Sequence, residues 1–205
     1  MRRVPSALGF LALGLAWLAL ASDGGRAFYV HMSAHMGVVA VAAPLLALGV
    51  TGTRYDPSRR APGLFAPIPA SLVEFVTVWA WHAPALHHAA RHRAAWAVAE
   101  QASFLVTGLW VWVSALGGRD APGRERTAAG VVALLLTSMH MTLLGALIGL
   151  SPRALYPACG GHGGLGALED QHLGGAVMLI VGGASYLAGG VALTRGLLHT
   201  AMRRA

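Results

Sequence analysis

Histidine and methionine side chains are concentrated in a few short stretches of this sequence, and both residue types bind metal ions. The stretch HMSAHM, residues 31–36, places His31 and His35 four positions apart. Residues at this spacing share one face of a helix, so two imidazoles can reach the same ion. Imidazole and thioether groups together suit copper, and the thioether especially suits the cuprous ion. The stretch therefore predicts part of a copper site, whose remaining ligands must come from other helices.

The composition indicates that these residues belong to an integral membrane protein. Of the 205 residues, 56% are hydrophobic and 11% are charged, which is more apolar than a soluble domain. A helical bilayer crossing takes about 20 residues, and six segments qualify: about 6–22, 31–50, 71–90, 95–117, 127–150 and 171–194. We expect residues 1–205 to form a single all-α domain, a polytopic transmembrane helical bundle.

The arginines orient the predicted bundle. All 15 basic residues are arginines that lie in short clusters between the apolar segments. Cytoplasmic loops carry an excess of basic residues, and a cytoplasmic N-terminus leaves 11 arginines inside and four outside. Both termini are then cytoplasmic, and the clustered charge argues against nucleic acid as a partner. The Ala-Leu-Ala stretch at residues 19–21 could be a signal-peptide cleavage site, and cleavage would leave five spans.

The predicted topology brings nearly all of the histidines to the outer side of the membrane. Of ten histidines, all but His199 fall at the outer interface or in the outer half of a span. Spans 3, 5 and 6 add donors in the stretches WHAPALHH, MHM and EDQH. The predicted metal ligands are His31, His35, His82, His140 and His172, with Met32, Met36, Met139, Met141 and Asp170 as weaker candidates.

Other features of the spans predict helix packing and local breaks. Gly145 and Gly149 form a GxxxG step in span 5, which predicts close approach of a neighbouring helix. Pro44 in span 2 and Pro84 in span 3 remove backbone donors, so we expect a kink or a local opening there. Few carboxylates lie near membrane depth, and the three found there, Glu74, Glu100 and Asp170, are candidate functional groups for that reason.

Several of these side chains also fit simpler roles. The methionines are more typical of apolar packing than of metal ligation. His87, His88 and His92 fit a solvated polar loop better than a metal site. Cys159 and His162 could be ligands, but one cysteine and one histidine in a glycine-rich loop indicate metal only weakly. A single cysteine also excludes an intramolecular disulfide and a CxxC motif.

Three other functions compete with copper binding. A haem b electron carrier or quinol oxidoreductase needs two histidines on facing helices, and His82 with His140 is the best such pair. A zinc-dependent hydrolase is disfavoured because the chain contains no HExxH stretch. A purely structural membrane subunit would bind no metal. We expect the protein not to be an enzyme.

Five stretches together point to a known family: HMSAHMGVVAVAAPLLALG, WHAPALHHAA, EQASFLVTGLWVW, LLGALIGLSPRALYP and LEDQHLGGAVMLIVGG. In their order and context the chain resembles the CtaG family of cytochrome c oxidase assembly factors, the caa3-type membrane proteins. The resemblance covers about residues 28–195. It implies a multi-pass protein of the inner or plasma membrane that helps to mature haem-copper oxidases by delivering copper. The implied partners are oxidase subunits and an extracytoplasmic copper chaperone.

The resemblance also assigns residues by position. The motif histidines of the family match His31, His35 and His82, and its Asp-Gln pair matches Asp170 and Gln171.

Two positions differ from the pattern of the family. Gln101 follows Glu100 where the family often has a histidine, and His172 stands where the family has a second glutamine. One difference removes a donor from span 4 and the other adds a donor to span 6, so we expect a rearranged ligand set. His140 is also unusual for its stretch.

Overall fold

The computed structural model describes residues 3–22, 27–117, 123–157 and 164–202, and this part of the chain is helical without a strand. The α-helices in chain order are α1 (Arg3–Ala21), α2 (Phe28–Met36), α3 (Ala43–Val50), α4 (Pro57–Arg60), α5 (Pro67–His82), α6 (Pro84–His92), α7 (Ala94–Leu116), α8 (Arg124–Gly149), α9 (Ala167–Val177) and α10 (Gly183–Met202). Two π-helical segments, π1 (Gly37–Ala42) and π2 (Met178–Gly182), join α2 to α3 and α9 to α10. The prediction of an all-α fold is confirmed.

Four helices are long and apolar enough to cross a membrane: Arg3–Ala21, Phe28–Val50, Arg124–Gly149 and Ala167–His199. They correspond to four of the six predicted spans. The face of α1 that points away from the bundle carries four leucines that are 48–68% exposed, Leu8, Leu11, Leu15 and Leu18. Such a leucine face is unfavourable in water and suits contact with lipid tails. That α5 and α7 also cross the membrane stays a prediction.

The segment predicted as one span at residues 71–90 is interrupted. Helix α5 ends at His82, Ala83 is extended with ψ of 129°, and α6 begins at Pro84. The cause is local, because a proline disfavours helical backbone in the residue before it and lacks the N–H that would continue the helix. The break predicted at Pro84 is confirmed, and it divides the segment at about 71–90 into two helices.

The glycines of α8 and α9 let the two helix backbones touch. A Cβ atom at Gly145 would lie 2.6 Å from the backbone nitrogen of Leu179 and 2.9 Å from the carbonyl oxygen of Gly175. No side chain fits at these distances, so only glycine permits the contact. The packing role predicted for Gly145 is confirmed.

The π segments free backbone carbonyls that bind side chains from other helices, as local departures from α-helix allow. In π1, the carbonyl of Val39 accepts a hydrogen bond from Trp112 Nε1 at 3.1 Å, and that of Ala40 accepts one from Ser185 at 2.6 Å. The local opening expected near Pro44, the second residue of α3, is the π1 segment just before it.

A second polar contact lies beside π1. The Tyr186 hydroxyl donates to Glu74 Oε1 at 2.5 Å, and Thr137 donates to Glu74 Oε2 at 3.3 Å. Both Glu74 and Tyr186 are fully buried. These bonds join α5, α8 and α10 and help to fix how the helices are rotated about their axes.

Candidate metal centre

The rotation of α2 decides where its histidines point, and Asp170 helps to set it. The two carboxylate oxygens of Asp170 accept hydrogen bonds from the backbone N–H groups of Phe28 and Tyr29, each at 2.8 Å. These N–H groups belong to the first turn of α2, which has no partner for them within the helix. The phenyl ring of Phe28 stacks on Tyr156 with ring centroids 4.5 Å apart. With α2 held in this way, the side chains of His31 and His35 are buried.

His31 lies in a group of three potential metal ligands with His87 and Glu100. One ligand atom from each residue lies within 4.8 Å of the other two, and all three side chains are buried. They come from α2, α6 and α7, so the group depends on tertiary structure. The His31 and His87 rings meet edge to face with centroids 5.0 Å apart.

The hydrogen bonds of His31 determine where its proton lies. Its Nε2 is 3.3 Å from Glu100 Oε1, and its Nδ1 is 3.4 Å from a guanidinium nitrogen of Arg91. Because a guanidinium can only donate, Nδ1 accepts from Arg91 and Nε2 carries the proton donated to Glu100. Arg91 thus places a positive charge at the ring nitrogen opposite the one that faces Glu100, and an ion shared with Glu100 would bind at Nε2.

His87 lies on α6, outside the four helices that are long enough to cross a membrane. Burial, followed by the nearby His31, holds the pKa of His87 well below its usual value of 6.5. The ring is therefore neutral at ordinary pH, which is the form of imidazole that binds metal ions.

Two imidazoles and one carboxylate form a ligand set that suits zinc or cupric copper. A fourth position would stay open to water or to an incoming ligand. Taken alone, the contact between His31 and Glu100 is an ordinary buried hydrogen bond. His87 adds a third donor from another helix, and three protein ligands are the number found in open metal sites.

His35 and His82 lie close together, one helical turn along α2 from His31. Their ring centroids are 5.4 Å apart, and His82 Nε2 is 3.4 Å from the sulfur of Met32. His82 Nδ1 lies 2.7 Å from the carbonyl oxygen of Val78. The structure thus places three of the predicted ligands, Met32, His35 and His82, beside one another.

The other predicted ligands have separate surroundings. The His172 ring donates from Nε2 to the carbonyl of Ser151 at 3.0 Å, and the His140 ring lies edge-on to Phe75 with centroids 5.2 Å apart. Asp170 binds the first turn of α2, as described above. None of these three belongs to the His31 group. Metal binding by His140 and His172 stays a prediction, whereas both carboxylate oxygens of Asp170 are engaged by α2.

The remaining methionines also lie elsewhere. Met36 and Met141 pack near Gly182, and Met139 is 67% exposed. The placement of Met36 and Met141 fits the packing role that their type favours.

Sequence reasoning did not name His87 as a candidate ligand. The interpretation of residues 87–92 as a solvated loop is wrong for His87, which is 2% exposed, whereas His88 and His92 are exposed. Glu100 carried a usable signal, because an ionisable group at membrane depth is a functional candidate. Cys159 and His162 lie outside the described residues.

The structure does not favour haem between His82 and His140. Nδ1 of His82 donates to the carbonyl of Val78, and the buried Met32 sulfur lies 3.4 Å from Nε2, where a haem iron would have to bind. A porphyrin at that nitrogen would have to displace Met32. A cavity of about 900 Å³ between α1, α3 and α7 is lined mainly by apolar side chains, with no histidine among them.

These features define a class: a multi-pass helical membrane protein with a buried His and Glu group that can hold a metal ion. The family model described as cytochrome c oxidase caa3 assembly factor matches residues 2–200. The chain therefore belongs to the family of caa3-type cytochrome c oxidase assembly factors, which confirms the resemblance seen in the sequence. No curated protein and no solved structure matches the chain. Membership implies association with the oxidase and a non-catalytic role.

Proposed function

We propose that this protein binds copper at the outer face of the plasma membrane and passes it to a subunit of a haem-copper cytochrome c oxidase. The observation that carries the proposal is the convergence of His31, His87 and Glu100, whose ligand atoms lie within 4.8 Å of one another. Family membership supports the destination, because the family assembles an oxidase. The predicted six-span topology is consistent with this location, since it would put the connection between α5 and α7 outside, together with α6.

Delivery proceeds by ligand exchange. Neutral imidazoles bind the ion with little proton release, so His31 and His87 can accept copper without a net loss of protons. Glu100 supplies one negative charge that offsets part of the charge on the ion. Three protein ligands leave the coordination shell incomplete, which lets a copper chaperone bring the ion and lets an oxidase subunit remove it.

Arg91 takes part in the exchange through its charge. In the metal-free protein its guanidinium binds Nδ1 of His31 at 3.4 Å. An ion that binds Nε2 beside Glu100 shifts the ring proton to Nδ1, where it faces the guanidinium donor, so Arg91 is repelled and leaves. The partly exposed position of Arg91 gives its side chain room to leave.

A complementation experiment tests this function. A host strain that lacks the protein is expected to assemble its oxidase with haem and without its full copper content. The wild-type chain and the His88→Ala variant restore oxidase copper, whereas His31→Ala and His87→Ala do not. His88 is the matched control because it is exposed on the same helix as His87. Full oxidase copper in the strain without the protein contradicts the proposal.

A further inference from the structure

The contacts of His82 reveal a pair of electron-rich atoms facing each other inside the bundle. Its Nδ1 is 2.7 Å from the carbonyl oxygen of Val78, which can only accept, so Nδ1 carries the ring proton. In the neutral ring Nε2 then has a lone pair. That nitrogen is 3.4 Å from the sulfur of Met32, which also carries only lone pairs. No hydrogen lies between the two atoms, and a cation between them would satisfy both.

The distance fits a shared metal ion. Bonds of about 2.0 Å to nitrogen and about 2.3 Å to sulfur would join the two atoms, which are 3.4 Å apart, at a metal angle of about 105°. This angle is close to tetrahedral, which is the geometry of four-coordinate sites without a strong electronic preference.

His35 provides the next donor and a separate indication of a ligand. Its side chain is fully buried, and neither ring nitrogen has a hydrogen-bond partner among the described residues. Buried polar side chains in folded proteins are nearly always paired, so an unpaired imidazole calls for an explanation. The ring centroid lies 5.4 Å from that of His82, close enough for one ion to bind both rings.

The chemistry of these donors selects the oxidation state. Two imidazoles and one thioether are soft, neutral ligands, a set that favours Cu(I). The group of His31, His87 and Glu100, called the outer group below, contains a carboxylate and favours zinc or Cu(II). A buried pocket of neutral ligands also favours the ion of lower charge, because the cost of burying an ion rises with its charge.

We infer that Met32, His35 and His82 form a second copper site, selective for the cuprous ion and distinct from the outer group of His31, His87 and Glu100. The inference rests on the proposed function in copper delivery. His35 follows His31 by four residues on α2, a rise of about 6 Å, so the two sites lie one helical turn apart, and each holds copper in the oxidation state in which it arrives. The ion enters and leaves the inner site as Cu(I), and no electron is transferred.

X-ray absorption at the copper edge tests the inner site directly. The purified full-length protein in detergent is loaded with Cu(I) without oxygen. The wild-type spectrum is expected to show sulfur at about 2.3 Å, the usual length of a first-row metal–sulfur bond. Met32→Leu removes the sulfur but keeps the side chain apolar and similar in size, so it should abolish this signal. It should also weaken Cu(I) binding, measured against a Cu(I) chelator, by at least about tenfold.

Met36→Leu is the matched control. Met36 is one turn further along the same helix, is equally buried, and packs against Gly182 instead of a histidine. This variant should keep the sulfur signal and the Cu(I) affinity. A signal that is absent from the wild type, that survives in Met32→Leu, or that disappears in Met36→Leu overturns the inner site.

The outcomes also separate the two proposals. Copper held by His31, His87 and Glu100 without a sulfur ligand overturns the inner site alone. A wild-type protein that binds neither Cu(I) nor Cu(II) overturns the proposed function as well.

Discussion

His31 and Glu100 lie on different helices, and the proton on His31 Nε2 points to the Glu100 carboxylate 3.3 Å away. The same ring accepts a hydrogen bond from Arg91 on its other nitrogen. His31 therefore lies between the carboxylate of Glu100 on α7 and the guanidinium of Arg91 on α6. This arrangement holds the imidazole in one tautomer and leaves His87 as the third donor beside it.

The position of Arg91 predicts that its removal strengthens metal binding. Replacing Arg91 with glutamine removes a positive charge beside the outer group and the charged donor that holds the ring proton of His31 on Nε2. Two like charges several ångströms apart near a protein surface repel by a few kcal/mol, and 1.4 kcal/mol is tenfold in affinity. We expect Cu(II) affinity, measured by chelator competition, to rise by at least about tenfold.

Arg93→Gln is the control, because Arg93 is exposed and follows the last residue of α6. It should leave Cu(II) affinity unchanged. Weaker binding by Arg91→Gln would show that Arg91 supports the site instead of competing with the ion.

Asp170 is predicted to stabilise the fold without binding metal. Asp170→Ala leaves two buried N–H groups at the start of α2 without acceptors. The expected loss is about 1–3 kcal/mol in the free energy of unfolding, measured by thermal unfolding in detergent. The neighbouring Glu169→Ala should cost less, since Glu169 is exposed. Copper stoichiometry of folded Asp170→Ala should equal that of the wild type, and a loss of one copper would make Asp170 a ligand.

The contact between α8 and α9 predicts that Gly145 tolerates no side chain. Gly145→Ala forces the new Cβ into the backbone of Leu179, and overpacking of this kind costs about 1–3 kcal/mol of stability. Gly14→Ala is the control, because a Cβ there meets nothing within 4 Å. We expect the melting temperature in detergent to fall for Gly145→Ala only. Equal melting temperatures for the two variants would mean that the helices can separate slightly at no cost.

Much of the helical framework could be predicted, because long apolar segments and a GxxxG step can be recognised within short stretches of the sequence. The break at Pro84 was also predictable from the backbone chemistry of proline. The rotation of α2 was not, since it depends on Asp170, which lies 142 residues from Phe28 in the chain.

The outer group was predicted only in part for the same reason. His31 stood out by its spacing from His35, and Glu100 by its depth. His87 lies in a stretch that looks polar, LHHAARH, and its burial follows from packing of α6 against Phe28 and Tyr156, with ring centroids 5.5 and 4.6 Å away. No pattern within α6 distinguishes His87 from the exposed His88.

The copper content of the purified protein tests the central claim most directly. The full-length chain is loaded with Cu(II), treated with a chelator that removes weakly held ions, and analysed for copper per protein, with wild type, His87→Ala, Glu100→Gln and His88→Ala compared. The account predicts bound copper in the wild type and in His88→Ala, and its loss in His87→Ala and Glu100→Gln while all four remain folded. Equal copper content in all four proteins, or none in the folded wild type, would contradict a copper site formed by His31, His87 and Glu100.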